Sequence, residues 1–278
     1  MTPELEVILM WAGVTFYALS SVLFVSALFF RKAGLWAFGL WAAAIGLIPH
    51  GAAIIGRWIR IDRGPYLGFY EVVSSYAFVA VALLVVIAFR RRDMTGIGVG
   101  LMPLSFLMLG AAMFTSRYEL AMTGMLASWW LSIHVIFAKI GYGAFLISFA
   151  LSLVFLFRDK SGGFLAEALE KMPPQGYIDD LQFKFVGLGF IFYGIMIVSG
   201  AIWANEAWGR YWGWDPIETW SLIAWIVYAL FLHARLTLGW RGRKLAWFSV
   251  IALPIVSFSL MGVPLVYDSI HAAYLLGF

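Results

Sequence analysis

The chain has 278 residues, of which 63% are hydrophobic and 12% are charged, and it carries a formal net charge of +4 at pH 7. Soluble domains are about 45–50% apolar, so this composition excludes a soluble enzyme and a nucleic-acid-binding domain. The sequence has no cysteine, which excludes disulfides, thiolate metal ligands and a cysteine nucleophile on this chain. The sequence contains only four histidines, and it contains 14 tryptophans.

Eight apolar runs are long enough to cross a hydrocarbon core of about 30 Å, which requires about 20 helical residues. The sequence therefore predicts an all-α, polytopic integral membrane protein that forms a single membrane domain over residues 1–278. Glu4 and Glu6 precede the first run, so we interpret it as a span and not as a cleavable signal peptide, whose start is basic. The predicted spans lie near residues 7–30, 35–55, 72–89, 97–115, 129–157, 183–203, 220–238 and 246–266.

Basic residues are distributed unevenly between the two sets of alternate connecting loops. One set contains thirteen Lys and Arg residues and the other contains five. Because positive charge accumulates in cytoplasmic loops, this asymmetry predicts that both termini lie on the outer, periplasmic-type side of the membrane. The outer segments are then 57–71, 116–128, 204–219 and the tail from residue 267.

The densest aromatic segment is WANEAWGRYWGWDPIETW, residues 203–220, which we interpret as an outward-facing loop. Trp and Tyr collect at the membrane interface in many membrane proteins, and this is one explanation for the segment. The other explanation is ligand binding. Aromatic rings that alternate with Gly209 and Gly213 are expected to form a flat apolar surface suited to a large planar molecule such as a porphyrin.

The quartet from Asp215 to Glu218 has the features of a helix start. Asp is a preferred N-cap, Pro216 occupies the first helical position, and a Glu at the third position completes a capping box. The sequence therefore predicts that the seventh helix begins here. The free N–H groups of a helix N-terminus also favour an anionic group of a bound ligand.

Residues 208–244, WGRYWGWDPIETWSLIAWIVYALFLHARLTLGWRGRK, resemble the tryptophan-rich WWD signature of haem-handling membrane proteins. In detail they resemble the CcsA/ResC family of system II cytochrome c biogenesis. The resemblance extends to residues 129–145 (WWLSIHVIFAKIGYGAF) and 259–274 (SLMGVPLVYDSIHAAY), with a weaker match in RGPYLGFYE at 63–71. It implies a protein that delivers haem b, bound non-covalently in transit, and presents it for thioether attachment to the CxxCH segment of apocytochrome c.

The resemblance also implies an activity, partners and a location. It implies a cytochrome c haem lyase, or holocytochrome c synthase, that acts with a CcsB/ResB-like membrane protein, with a thioredoxin-like thiol reductant and membrane lipid as further partners. The location is the bacterial cytoplasmic membrane, or the thylakoid membrane for a plastid-type protein, with the active site facing the outer side. The alternatives are a haem exporter or chaperone without synthase activity, a membrane-bound regulator, and a b-type electron-transfer subunit.

Two histidines flank the tryptophan-rich segment on the predicted outer side. His134 lies near the outer end of the fifth span and His271 lies just beyond the eighth. This placement suits two axial imidazoles on one haem iron, and the resemblance matches the pair to the two external haem-ligating histidines of the family. We predict both as catalytic residues. The residues expected to contact haem are His134, His271, His233, Trp208, Tyr211, Trp212, Trp214, Asp215 and Trp220, with the three histidines as iron ligands.

The other two histidines are predicted to lie inside the membrane. His233 is about 20 Å along the seventh helix from Trp220, and the resemblance matches it to a transmembrane histidine that binds haem on its way outward. A hydrogen bond to a neighbouring helix is the alternative for this residue. His50 is interpreted as structural. The outer arginines are candidates for contacts with haem propionates or with lipid headgroups; they are Arg57, Arg60, Arg63 and Arg117.

Overall fold

A computed structural model describes residues 1–64, 66–115, 117–119, 124, 126–159 and 168–270. Eight long helices in the described part of the chain are apolar enough to cross a membrane, and those residues include no strand. The predicted all-α fold with eight spans is therefore confirmed. The helices are α1 (Pro3–Phe30), α2 (Ala33–Ile61), α3 (Phe69–Arg90), α4 (Gly98–Met113), α5 (Trp129–Asp159), α6 (Gln175–Trp208), α7 (Pro216–Leu236) and α8 (Arg243–Ser257).

Two helices are extended by irregular turns. A 3-10 helix, Arg92–Ile97, leads into α4, and α8 continues through a π-helical turn, Phe258–Gly262, into a last helical turn, Val263–Val266. Successive helices run in opposite directions, so the bundle has two distinct ends. We call the end that holds Trp203 and Trp214 the tryptophan end, and the opposite end, which holds Arg31, Arg92 and Arg235, the basic end.

Helix α5 forms the centre of the bundle. Within its apolar window 72% of residues are buried, against 28% for α6 and α7. It packs along α6 and against α3, α4 and α8. A Cβ at Gly141 would lie 3.0 Å from the backbone nitrogen of Tyr193 and 3.3 Å from the carbonyl oxygen of Gly189. Glycine at this position therefore allows the backbones of α5 and α6 to approach closely, as small residues do between membrane helices.

At the tryptophan end, buried charges join α1, α2 and α3. Arg57 of α2 donates to Glu6 of α1 at 3.2 Å and to Glu71 of α3 at 2.9 Å, and Arg63 donates to Glu71 at 2.6 Å. Glu71 also accepts the backbone N–H of Leu67 at 3.2 Å. Pairing offsets the high cost of taking these charges out of water. We call this set the arginine network; it consists of Glu6, Arg57, Arg60, Arg63, Glu71 and Glu119.

At the basic end, Arg235 of α7 pairs with the start of α6, and one of its partners there also holds the start of α8. Its guanidinium donates at 2.6 Å to Asp179 and at 2.6 Å to Asp180, both on α6. Asp179 also accepts the backbone N–H of Gly242, at 2.8 Å, just before α8 begins. These contacts fix the last turn of α7, which carries His233.

The arginine network predicts a large effect of Glu71→Gln on stability. The substitution removes the carboxylate that Arg57 and Arg63 share, and breaking a buried ion pair costs about 3–5 kcal/mol. We expect a clear fall in the apparent melting temperature of the purified protein in detergent. Asp93→Asn is the control, because the exposed Arg91–Asp93 pair contributes only about 0–1 kcal/mol. Equal melting temperatures for Glu71→Gln and the unmodified protein would contradict this account of the network.

Candidate functional site

A cavity of about 740 Å³, including its open mouth, lies at the tryptophan end between α3, α5, α6, α7 and α8. A second cavity of about 750 Å³ adjoins it. Tyr76, His134 and Trp203 line both, so the two cavities lie side by side. We call the combined space the His134 cavity.

His134 lies in the second turn of α5, and its orientation is set by a contact with α6. Its Nδ1 atom lies 2.8 Å from the carbonyl oxygen of Met196. Because a carbonyl oxygen only accepts hydrogen bonds, Nδ1 must carry the proton. In the neutral imidazole, Nε2 is then the nitrogen with the lone pair. A backbone carbonyl that fixes the ring and its tautomer in this way is typical of histidines that bind a metal through Nε2.

Gly200 of α6 provides the space for the imidazole. A Cβ at this position would lie 2.6 Å from His134 Nδ1 and 3.0 Å from its Cε1 atom. Both distances are too short for a real contact, so a larger residue would force the ring away from α6. Gly200 is therefore a positioning residue for His134, and the sequence alone did not reveal it.

The predicted aromatic residues take several different positions. Tyr211 and Trp212 line the cavity. The rings of Trp212 and Trp214 lie 5.8 Å apart at 89°, and Trp208 contacts Trp203 at 4.9 Å and 65°. These two pairs of rings therefore meet edge to face, as the aromatic quadrupole favours.

The predicted loop is largely helical. Residues 203–208 form the last turns of α6, residues 216–220 begin α7, and only residues 209–215 lie between the two helices. Trp214 has a φ of 56°, in the left-handed region that a bulky residue rarely adopts. Its side chain is 69% exposed. The connection is thus short, and it holds one aromatic residue in a strained conformation at the surface.

Hydrogen bonds from the start of α7 hold this connection in place. Glu218 accepts the backbone N–H groups of Gly213 at 2.9 Å and of Asp215 at 3.1 Å. Asp215 accepts the N–H of Ile217 at 3.0 Å, which completes a capping box and confirms the predicted helix start. The second oxygen of Asp215 accepts the N–H of Ile270 at 3.0 Å. Asp215 therefore ties the chain after α8 to the tryptophan-rich connection.

Three further predicted site residues are not among the described residues that line the His134 cavity. His271 lies outside the described residues, although the preceding residue, Ile270, contacts Asp215. Trp220 packs against Phe258 at 4.7 Å and 71°, so its indole belongs to the contact between α7 and α8. His233 lies in the last turn of α7 at the basic end, and its side chain is exposed on the bundle surface. The structure thus places His233 and His134 at opposite ends of the bundle.

The inner part of the cavity is lined by tyrosines that were not predicted as site residues. Tyr76, Tyr142 and Tyr193 all line it, and the rings of Tyr76 and Tyr142 lie 5.2 Å apart at 87°. One signal for them is present in the sequence. His134, Ala138 and Tyr142 recur every fourth residue on one helix face, and all three line the cavity.

Three of the four arginines that were predicted to lie on the outer side have partners within the protein. Arg57 and Arg63 pair with Glu71, and Arg60 pairs with Glu6 and Glu119 at 2.6 Å each. Their charges are therefore used to join helices, whatever contacts they make with a ligand. Nearby, partial burial and then the Glu71 carboxylate raise the pKa of the Tyr118 phenol above its usual value.

Fold and site together define a polytopic helical membrane protein with an aromatic cavity at one end. Residues 66–271 match the family model described as cytochrome C assembly protein. The chain is also 35% identical over 233 residues to the cytochrome c biogenesis protein CcsA of Chlamydomonas reinhardtii, a match that covers 79% of this chain and 63% of the algal protein. The chain therefore belongs to the CcsA family of cytochrome c assembly proteins, and the predicted resemblance is confirmed.

Two further comparisons agree with the assignment. The chain is 32% identical over 248 residues to CcsA of Synechococcus sp. (strain CC9605), covering 80% of this chain and 81% of the cyanobacterial protein. The solved structure titled cytochrome c haem lyase CcmF matches all of this chain with a TM-score of 0.72 at 15% identity. The chain spans 49% of CcmF, and at this identity the likeness supports the fold alone.

The role of the contact between Gly200 and His134 can be tested without a ligand. Gly200→Ala should displace the His134 ring and break its hydrogen bond to Met196, at a cost in stability of about 1–3 kcal/mol for overpacking. Nitrogen NMR of histidine-labelled protein would report the loss of the Nδ1-protonated tautomer of His134. Gly187→Ala is the matched control on the same helix, because its Cβ would meet nothing within 4 Å. An unchanged His134 signal in Gly200→Ala would show that the close approach does not set the tautomer.

Proposed function

We propose that this chain delivers haem b, held non-covalently, and presents it for thioether attachment to the CxxCH segment of apocytochrome c, as a component of a cytochrome c synthase complex. The names of the relatives support a role in cytochrome c assembly, since both are called cytochrome c biogenesis protein CcsA. The observation that carries the proposal is the His134 imidazole, held by the Met196 carbonyl on the wall of an aromatic cavity.

The chemistry of the His134 cavity fits haem as a substrate. Haem is a planar and mainly apolar macrocycle, and its iron takes imidazole nitrogen as an axial ligand. The cavity offers an oriented imidazole and the aromatic side chains of Trp203, Tyr211 and Trp212. Its polar lining includes Glu218 and Ser221, which can hydrogen-bond to the edge of a bound ligand or to water.

His271 is proposed as the second axial ligand. The bond between Asp215 and the N–H of Ile270 brings the chain beside the connection that carries Tyr211 and Trp212. Ile270, the residue before His271, therefore lies at the tryptophan end with His134. In this proposal Asp215 acts as a positioning residue. Trp208 supports the wall through Trp203, Trp214 offers an exposed ring to haem or to the client, and Trp220 stabilises the contact between α7 and α8.

His233 is proposed to bind haem before it reaches the His134 cavity. Its exposed side chain on α7 is available to a neighbouring membrane protein, and Arg235 fixes the helix turn that carries it. A CcsB/ResB-like partner would supply the second ligand there. Because basic loops favour the cytoplasmic side, we place the basic end in the cytoplasm and the His134 cavity on the outer side of a bacterial cytoplasmic or thylakoid membrane.

The proposed reaction needs no nucleophile from this chain. Each client thiol adds across one vinyl group of haem, forming a C–S bond at one carbon while the thiol proton goes to the other. This chain contributes by positioning, because two imidazoles hold the iron while the aromatic walls orient the macrocycle toward the client. The histidine of CxxCH then replaces one protein imidazole and the product leaves. A thioredoxin-like reductant would keep the client thiols reduced.

The proposal predicts distinct effects for the histidine variants when the protein is purified with its partner. His134→Ala and His271→Ala should each lose the bis-imidazole absorption spectrum and lower covalent cytochrome c formation at least tenfold, since misplaced reacting groups cost up to about 10²-fold. His233→Ala should lower the amount of haem that reaches the outer site. His50→Gln is the control, because His50 is buried against Tyr17, with Nδ1 3.0 Å from the phenol oxygen.

Other outcomes would assign another function. If both outer variants keep the original spectrum and full maturation activity, the assignment of the site is wrong. If the unmodified complex exports haem but forms no thioether bond, the protein is an exporter or chaperone. If removal of haem stops electron flow while cytochrome c maturation continues, the protein is a b-type electron-transfer subunit.

A further inference from the structure

A third cavity, of about 1,050 Å³, lies at the basic end. Its walls come from the junction of α1 with α2, from the 3-10 helix before α4, and from residues 168–172. We call it the basic-end cavity. It lies at the opposite end of the bundle from the His134 cavity, so the function proposed for that cavity does not account for it.

The rim of this cavity carries more positive than negative charge. Arg31, Arg92 and Lys171 line it, together with the carboxylates of Asp93 and Glu170. Asp93 is paired with Arg91 at 2.7 Å, outside the lining. The exposed guanidinium of Arg92 lies 4.4 Å over the ring of Phe89, and the ion pairs of the described residues include neither Arg92 nor Lys171. Two exposed cations at the rim thus have no carboxylate partner in the described part of the chain.

The floor of the cavity is apolar and close to the outer surface of the bundle. Leu40 is fully buried and Met172 nearly so, and Trp36 packs against Phe24 at 6.1 Å. Ala37 of α2 also lines the cavity. The next residue, Phe38, is 65% exposed, so the opening lies beside a surface that faces lipid in a membrane. A ligand that satisfies both the rim and the floor has an anionic head and an apolar chain.

We propose that the basic-end cavity binds an acidic phospholipid, with the headgroup phosphate between Arg92 and Lys171 and an acyl chain along Trp36 and Leu40. Its position supports this ligand, because the ends of membrane helices lie at the depth of the headgroups, and basic pockets between helices recognise acidic headgroups. Helix α2 begins at this cavity without a side-chain cap, so its first N–H groups add partial positive charge.

Native mass spectrometry of the detergent-purified full chain tests the proposal with defined lipids. The unmodified protein should retain phosphatidylglycerol about tenfold better than phosphatidylcholine, and Arg92→Gln/Lys171→Gln should lose this preference. The matched control is Arg90→Gln/Lys184→Gln, which removes the same charge from exposed positions outside the cavity lining. It should keep the preference of the unmodified protein.

Several results would overturn the proposal. One is equal retention of the two lipids by the unmodified protein, and another is an equal loss in the control and in the cavity variant. If inorganic phosphate at the same concentration as the lipid displaces it, the cationic rim binds a free anion and not a lipid headgroup. If haem displaces the lipid from the unmodified protein but not from Arg92→Gln/Lys171→Gln, the cavity binds haem and not lipid. Because lipid retention is measured without a cytochrome c client, the result is independent of the function proposed for the His134 cavity.

Discussion

The hydrogen bond from His134 to the Met196 carbonyl depends on how closely α5 and α6 approach each other. In a bilayer no hydrophobic driving force brings two helices together, so small residues and interhelical hydrogen bonds determine the packing. Gly141 allows the backbones to meet, and Gly200 leaves room for the imidazole ring. The same contact then fixes which nitrogen of His134 bears the proton. The packing of α5 against α6 therefore also determines which nitrogen of His134 can bind a metal.

Buried charges hold the two ends of this bundle in place. At the tryptophan end the arginine network joins α1, α2 and α3, and Glu71 also holds Leu67, a residue that lines the His134 cavity. At the basic end Arg235 joins α6, α7 and the start of α8. Such charges are costly in hydrocarbon unless they are paired.

Features that depend on local sequence were predicted well. Eight spans follow from apolar length, and the start of α7 follows from the spacing of Asp215 and Glu218 in a capping box. Features that depend on distant partners were not predicted. Helix α6 begins at Gln175 and not near residue 183, because Asp179 and Asp180 are held by Arg235, more than 50 residues further along the chain. The role of Gly200 likewise depends on a side chain from another helix.

We propose that the cavity beside His134 holds haem with its iron on that imidazole. A cryo-electron microscopy map of the protein purified with bound haem would locate the ligand. We expect porphyrin density between α5, α6 and the connection at residues 209–215, with the iron facing His134 Nε2 and the Nδ1 contact to Met196 retained. Porphyrin density confined to the surface near His233, with the His134 cavity empty of haem, would contradict it.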